Sequence, residues 1–333
     1  MCLLQSSACA APMNFKNADI LSIDQFEKID IAEIFSVAAA MEPYAQRKKI
    51  IRVLEGAVLG NIFFEPSTRT RMSFSTAFHR LGGAVFEMAD MASSSLVKGE
   101  SLYDTSRVME NYLDLFVVRH PTKGVVQEFA AATERPLING GDGTGEHPTQ
   151  ALLDLYTIMK EQGRSFEQLD GLSIAMVGDL KHGRTVHSLT KLLSRFKNIR
   201  FTWIAPEPLK MPEYILEEAR QRGHHVHQTE DFKTGIANVD VVYMTRLQEE
   251  RFPSLEEAQA YRGHYSLNRA TYEQCCSPGT IMLHPLPRDQ RANEIDVDLN
   301  NHPALAIFRQ AANGIPIRMA LFAMIMDVYP FTQ

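Results

Sequence analysis

Short apolar runs alternate with stretches of helical periodicity along most of the chain. Residues 57–64, 84–88, 115–118 and 137–138 read as strands in the first half, and 172–177, 201–205, 241–244 and 280–283 in the second. Between them apolar positions recur at three- and four-residue spacing. The first such stripe is Ile31, Ile34, Phe35 and Ala38, the second Phe74, Phe78 and Leu81, and the third Leu152, Leu153, Leu155 and Ile158. This alternation predicts an α/β protein of two domains, each a mainly parallel sheet flanked by helices. The domains are expected at 14–150 and 151–303, linked by interdomain helices, of which 148–161 is one. Ile307, Phe308, Ala311, Ile315, Met319, Phe322 and Met326 mark one side of a last helix, 304–330, that Pro316 should kink or divide.

A length of 333 residues fits two domains, and 45% hydrophobic with 22% charged residues fits a globular chain. The net charge of −6 excludes a general nucleic-acid or membrane-surface binder, while leaving room for a local positive pocket. No segment approaches the length of a membrane span. Cys2, Cys9, Cys275 and Cys276 form no Cys-x-x-Cys pair, so no structural zinc is expected. The adjacent pair suits reduced thiols in a cytoplasm. Residues 1–13 lack the basic region of a signal peptide and are expected to be a disordered tail, with Met1 or Met13 as the start.

The strongest chemical signal follows the first strand run: Phe63-Phe64-Glu65-Pro66-Ser67-Thr68-Arg69-Thr70-Arg71-Met72-Ser73-Phe74. Pro66 breaks the strand, Ser67 is a natural N-cap, and Gly82-Gly83 supply a stop. Residues 67–71 therefore sit on a helix's first turn, where unpaired N–H groups and the helix dipole favour an anion. Ser67 and Thr70 can add hydroxyl donors. Arg69 and Arg71 are near enough that at least one should face a phosphate. Without an anion, two cations there would oppose the dipole. The spacing is not that of a nucleotide P-loop.

Other candidates also stand at strand ends. Arg119 follows the 115–118 run, and Arg246 follows 241–244. His147 and Gln150, three apart, share a face at the start of the helix opened by Pro148, after a glycine-rich stretch, 139–145, expected to be an open loop. Gly178-Asp179-Leu180-Lys181-His182-Gly183-Arg184 lacks the Gly-x-Gly-x-x-Gly spacing, which argues against a dinucleotide site. Residues 92–100, serine-rich with Gly99, read by composition as a mobile solvated loop. In His284-Pro285-Leu286-Pro287-Arg288 two prolines fix the loop.

Ser67-Thr68-Arg69-Thr70-Arg71 after Phe-Phe-Glu-Pro resembles the carbamoyl-phosphate loop of the carbamoyltransferases, and later motifs resemble that family's aspartate-type catalytic chains. The resemblance runs from about 14 to 329. It implies transfer of a carbamoyl group from carbamoyl phosphate to L-aspartate, an early step of pyrimidine synthesis, with no metal, cofactor or covalent intermediate. Residues 14–150, with the last helix packed back on them, would bind carbamoyl phosphate, and 151–303 would bind aspartate. By resemblance Arg69, Thr70, Arg119 and His147 are catalytic, and Ser67, Thr68 and Gln150 also hold carbamoyl phosphate. Leu286 and Pro287 would offer carbonyls to the carbamoyl amide and the attacking amine. Arg184, Arg246 and Gln248 would hold aspartate, and two planar guanidinium forks suit a dicarboxylate.

The resemblance further implies a homotrimer. In the family a serine and a lysine of the 92–100 loop enter the neighbouring subunit's site, and Ser95 (or Ser94) and Lys98 match them, Lys98 touching both substrates. It admits a regulatory chain or a dihydroorotase-type enzyme as partner, or trimers acting alone. Pro285 stands where ornithine-type relatives carry a cysteine, which favours aspartate over another acceptor. Residues 289–295 are longer than the family's Val-Asp-Glu-Ile, so that loop need not follow its geometry. A non-catalytic scaffold of the same fold is the alternative from a different class.

Overall fold

The computed structural model describes residues 11–89, 99–249, 252, 254–289 and 291–328. The apolar runs form two separate sheets. The first joins β1 (Val58–Phe63), β2 (Ala84–Met88), β3 (Leu115–His120) and β4 (Leu137–Asp142) in the order β2-β1-β3-β4. The second joins β5 (Ser173–Val177), β6 (Arg200–Ile204), β7 (His225–Thr229), β8 (Val241–Met244) and β9 (Ile281–Leu283) in the order β7-β6-β5-β8-β9. Every pairing is parallel. Helices cover both faces of a parallel sheet, so its inner strands read as continuous apolar runs. That is why β3, β5 and β8 were plain in the sequence. β7, His-Val-His-Gln-Thr, is a half-exposed edge strand with one apolar residue, and no apolar run announces it.

Each sheet has one place where the strand order reverses. In the first the chain leaves β1 toward β2, then returns to lay β3 on the other side of β1. In the second it leaves β5 toward β6 and β7, then lays β8 on the other side of β5. The carboxyl ends of such strand pairs diverge and open a crevice, the usual ligand position in open α/β sheets. Both crevices open onto one cleft.

Two expectations are corrected here. The stretch after Ile138 is not an open loop: Asn139, Gly140, Gly141 and Asp142 continue β4 and are buried. Gly141 has φ +131°, and a Cβ there would stand 2.8 Å from the Arg119 guanidinium, so the glycine makes room for that arginine. Nor does the last helix present the apolar side expected, and of a kink or a division at Pro316 the division does not occur. It runs unbroken over Ile307–Ile325, and Phe308 and Ala311 on the expected apolar side are exposed. Its buried side instead includes Gln310, Asn313 and Arg318. It packs on Lys28–Ala45, Thr68–Arg80 and Pro148–Glu161, all helices of the first half.

The interdomain helix Pro148–Glu161 has the bounds expected, with Pro148 at its first position. Its far end is tied to both halves. Tyr156 donates to Glu42 at 2.6 Å and Lys160 pairs with Glu42, while Gln162, just beyond, donates to the carbonyls of Asp240 and Gly279 at 2.8 and 3.0 Å. Among the described residues no helix is long and apolar enough to cross a membrane, and no cluster of His, Cys, Asp or Glu could hold a metal ion. Cys275 and Cys276 are free thiols.

Candidate active site

The cleft has a volume of about 510 Å³ and lies between the two crevices. From the first sheet come residues 65–70 and Ser73 after β1, Arg119 at the end of β3, and His147, Gln150 and Leu153 after β4. From the second come Arg184 and Thr185 after β5, Thr245, Arg246 and Gln248 after β8, and the 284–287 loop after β9. Twelve of the fourteen residues singled out by sequence thus meet in one place: Ser67, Thr68, Arg69, Thr70, Arg119, His147, Gln150, Arg184, Arg246, Gln248, Leu286 and Pro287. The other two, Ser95 and Lys98, lie outside the described residues, as does Ser94.

The turn after β1 has the geometry the sequence implied. The helix Thr68–Arg80 begins with Ser67 as N-cap, yet the Ser67 side chain makes no capping bond. That hydroxyl and the first-turn N–H groups are therefore available to an anion. The choice between the two arginines is resolved: Arg69 lines the cleft, whereas Arg71 turns to Glu87 at 3.5 Å.

Arg119 belongs to β3 itself rather than to a loop beyond it. It is buried, and its Nη1 donates to the Gly140 carbonyl at 3.2 Å. Burial first, then the neighbouring Arg184, pulls its pKa down to about 10, and Glu65 opposes that pull. Glu65 was not foreseen as a site residue. Its Oε1 accepts from Arg119 at 2.5 Å and from Arg184 at 3.3 Å, a carboxylate shared by arginines of the two sheets. Arg184 also donates to the Gly143 carbonyl at 2.6 Å, and so reaches from the second sheet to the first. Arg246 donates to the Leu247 carbonyl at 3.2 Å. The Gln248 N–H donates to Asp179 at 3.3 Å.

His147 is the N-cap of Pro148–Glu161, and among the described residues neither of its ring nitrogens has a protein partner. Burial, then Arg119, Arg184 and Arg318, holds its pKa well below the usual histidine value. A neutral imidazole offers one N–H donor and one acceptor. His284 is also neutral, its pKa pushed down to about 3 by burial and then by Arg288, and its Nδ1 accepts from the Leu286 N–H at 2.8 Å. That bond, with Leu286 at φ +60° before a cis Pro287, shapes the loop that carries the Leu286 carbonyl.

Two further residues were passed over by sequence reading: Arg318, in the cleft wall, and Asp154, behind it. Arg318 stacks 4.5 Å over Phe74 and donates to Ser73 at 2.6 Å and Thr149 at 3.2 Å. Burial pulls its pKa down to about 9. Asp154 is fully buried and accepts from Gln150, Gln310 and Tyr243, and burial raises its pKa to about 7. Both stand at positions of apolar periodicity, where a charged residue is itself a signal.

Comparison with known proteins agrees with this arrangement. Residues 18–160 match the family model "Aspartate/ornithine carbamoyltransferase, carbamoyl-P binding domain", and residues 170–325 match "Aspartate/ornithine carbamoyltransferase, Asp/Orn binding domain". The aspartate carbamoyltransferase catalytic subunit of Cellvibrio japonicus is 60% identical over 95% of this chain and 94% of its own length. The Methanocaldococcus jannaschii aspartate transcarbamoylase catalytic subunit superposes with a TM-score of 0.84 at 43% identity, covering 93% of this chain and 98% of that one. Aspartate transcarbamoylase from Trypanosoma cruzi, solved in complex with carbamoyl phosphate and aspartate, superposes with a TM-score of 0.86 at 37% identity, covering 95% and 99%. The chain belongs to the aspartate/ornithine carbamoyltransferase family, among its aspartate carbamoyltransferase catalytic subunits.

Proposed function

We propose that this chain transfers the carbamoyl group of carbamoyl phosphate to the amine of L-aspartate, giving N-carbamoyl-L-aspartate and phosphate for pyrimidine synthesis. One observation carries the reading. A helix-start anion turn with Arg69 and Arg119 faces Arg184 and Arg246 across a single cleft. The first pair suits a phosphoryl group, and the second suits the two carboxylates of a small diacid. Relatives solved with carbamoyl phosphate and aspartate support the same pairing of ligands.

In this reading Ser67, Thr68, Arg69, Thr70 and Arg119 hold the phosphate. Thr70, Arg119 and His147 donate to the carbamoyl oxygen as charge builds there, which is the role of an oxyanion hole. Support for His147 lies in its neutral, unpartnered ring at the cleft wall. Gln150 and the Leu286 carbonyl accept from the carbamoyl nitrogen, and Pro287 offers its carbonyl to the attacking amine. The amine nitrogen bonds to the carbonyl carbon, the carbon–oxygen bond to phosphate breaks, and the departing phosphate oxygen takes the amine proton. No side-chain base is then required. Closure of the two halves brings the substrates together.

Residues 14–150 with the last helix act as the carbamoyl-phosphate domain and 151–303 as the aspartate domain. The unit is a homotrimer in which Ser95 and Lys98 complete a neighbour's site. Exposed Met72 and Phe86 beside edge strand β2, just before that segment, support an interface there. The relatives' designation as catalytic subunits supports a regulatory chain as a further partner. Free thiols at Cys275 and Cys276 suit the cytoplasm as the site of action.

Phosphate release from carbamoyl phosphate, measured with aspartate, ornithine and no acceptor, tests the reading. Aspartate alone should drive release. Release with ornithine but not aspartate would reject the assignment, and no release with any acceptor would favour a non-catalytic scaffold.

A further inference from the structure

The Asp154 carboxylate lies behind the cleft wall, where it touches no substrate position, yet three elements of the site converge on it. Its Oδ1 accepts from Gln150 Nε2 at 2.8 Å and from Gln310 Nε2 at 2.6 Å, and its Oδ2 accepts from the Tyr243 hydroxyl at 2.7 Å. Gln150 is one turn back on the same helix, Gln310 is on the last helix, and Tyr243 is on β8. No ion pair among the described residues includes Asp154, so its charge is met by those three neutral donors and, at longer range, by Arg318. A buried carboxylate held this way is costly to keep, which points to a use.

That use is legible in the direction of each bond. A glutamine amide has one donor end and one acceptor end. With its NH₂ on Asp154, Gln150 has its carbonyl oxygen left as the acceptor for the cleft it lines. Gln310 is fixed at both ends: NH₂ to Asp154, and Oε1 accepting the His284 N–H at 3.0 Å. His284 in turn accepts from the Leu286 N–H. One carboxylate thus sets the polarity of Gln150 directly, and steadies through Gln310 the loop that carries the Leu286 carbonyl. Both are acceptors, and both face a group that must be a donor.

We propose that Asp154 is a positioning residue that selects an amide-bearing acyl phosphate, by locking Gln150 and the 284–287 loop with their oxygens toward the carbamoyl NH₂. The proposal rests on the carbamoyl-transfer reading above and extends it from binding a phosphate to recognising the group attached to it. An acetyl group in place of the carbamoyl would offer these oxygens no N–H, so acetyl phosphate should gain nothing from the network.

The test is calorimetric titration of the assembled enzyme, at a pH of about 8.5 where the Asp154 carboxyl is ionised, with carbamoyl phosphate, acetyl phosphate and inorganic phosphate. Wild type, Asp154→Asn, Gln150→Ala and the double variant are compared. Asparagine keeps the shape and one acceptor oxygen but loses the charge, and hydrogen bonds to a charged acceptor are about twice as strong as neutral ones. Asp154→Asn should weaken carbamoyl phosphate by roughly tenfold and leave the other two ligands within about twofold. Combined with Gln150→Ala, it should add little beyond the residual effect through Gln310, since the two act on one contact. Weakening of all three ligands alike, no weakening of any, or full additivity in the double variant would each overturn the proposal. Failure of the wild type to bind carbamoyl phosphate at all, while binding inorganic phosphate, would instead remove the carbamoyl reading and this proposal with it.

Discussion

Glu65 gives the sharpest test of how the two halves of the cleft are joined. Its carboxylate bonds Arg119 at 2.5 Å and Arg184 at 3.3 Å, and the three side chains are 21%, 11% and 15% exposed. Screening at that burial is modest, so the charge matters. Glu65→Gln keeps the shape and one acceptor oxygen, and exchanges the charge and the second oxygen for a neutral NH₂. A charged hydrogen bond contributes about 1–2 kcal/mol more than a neutral one. Loss at Arg184, which also donates to the Gly143 carbonyl, then costs aspartate recognition about 2 kcal/mol, a rise of roughly 30-fold in aspartate KM. The effect on phosphate has the opposite sign. The anion side becomes more positive by one charge, and at a separation of ~8 Å with an effective dielectric of ~20 this is worth about 2 kcal/mol before screening. Inorganic phosphate should bind as tightly as in wild type or more so. The assay is aspartate saturation at saturating carbamoyl phosphate, with phosphate affinity from product inhibition. If both ligands weaken together, Glu65 is a fold-stabilising residue only, and the argument from a shared carboxylate fails.

Four further outcomes are expected. His147→Ala should lower turnover by roughly 10²–10³ with the fold retained, as for one lost oxyanion donor; an unchanged rate removes it from that role. Arg246→Ala should act chiefly on aspartate, by about 2–5 kcal/mol, the cost of truncating a desolvated charge pair, and unaltered aspartate saturation would reject the assignment. Mixing Lys98→Ala subunits with Arg69→Ala subunits should restore activity in hybrid trimers; none restored, with mixing verified by mass, would argue against a shared site. His284 has a folded pKa of about 3 against an ordinary value of 6.5. The unfolded chain therefore binds its proton first as pH falls, and stability drops between pH 6.5 and 3, by about 2 kcal/mol at pH 5. His284→Asn should flatten that part of the stability curve, and an identical acid slope in thermal melts would contradict the buried neutral imidazole.

What the sequence made legible follows a physical rule. Residues 67–70 could be found because a capping serine, a proline break and two arginines sit side by side, so the local chemistry is contiguous. Arg119 and Arg246 were found because both stand at the carboxyl ends of plain apolar strands. Glu65 was missed although it lies inside the quoted motif, since its partners Arg119 and Arg184 are 54 and 119 residues away and no local pattern links them. Asp154 and Arg318 were hidden for a related reason. Each interrupts an apolar helix face, and periodicity read alone treats such a residue as the start of the polar side. The β4 glycines misled in the other direction: Gly140 and Gly141 suggest a turn by composition, yet they serve a buried strand that makes room for an arginine.

The charge balance of the cleft ties these particulars together. Its described lining includes five guanidinium groups, Arg69, Arg119, Arg184, Arg246 and Arg318, and one carboxylate, Glu65. His147 and His284 are neutral, so the excess is four positive charges. Arginines held this close repel one another, as the Arg184 and Arg69 effects on Arg119 show. Such a site favours dianionic ligands. Carbamoyl phosphate as a dianion brings two negative charges, and aspartate with its amine neutral, the form able to attack, brings two more. In the proposed reaction the surrounding cations, with a neighbour's Lys98 added to them, would disfavour the ammonium form of the amine and stabilise the phosphate that leaves. A monocarboxylate amine would leave one arginine unmatched, and an acceptor carrying its own cation would add to the repulsion. On the proposed reading, a preference for an acidic acceptor would be a property of the whole cleft, with Arg246 as one contributor to it.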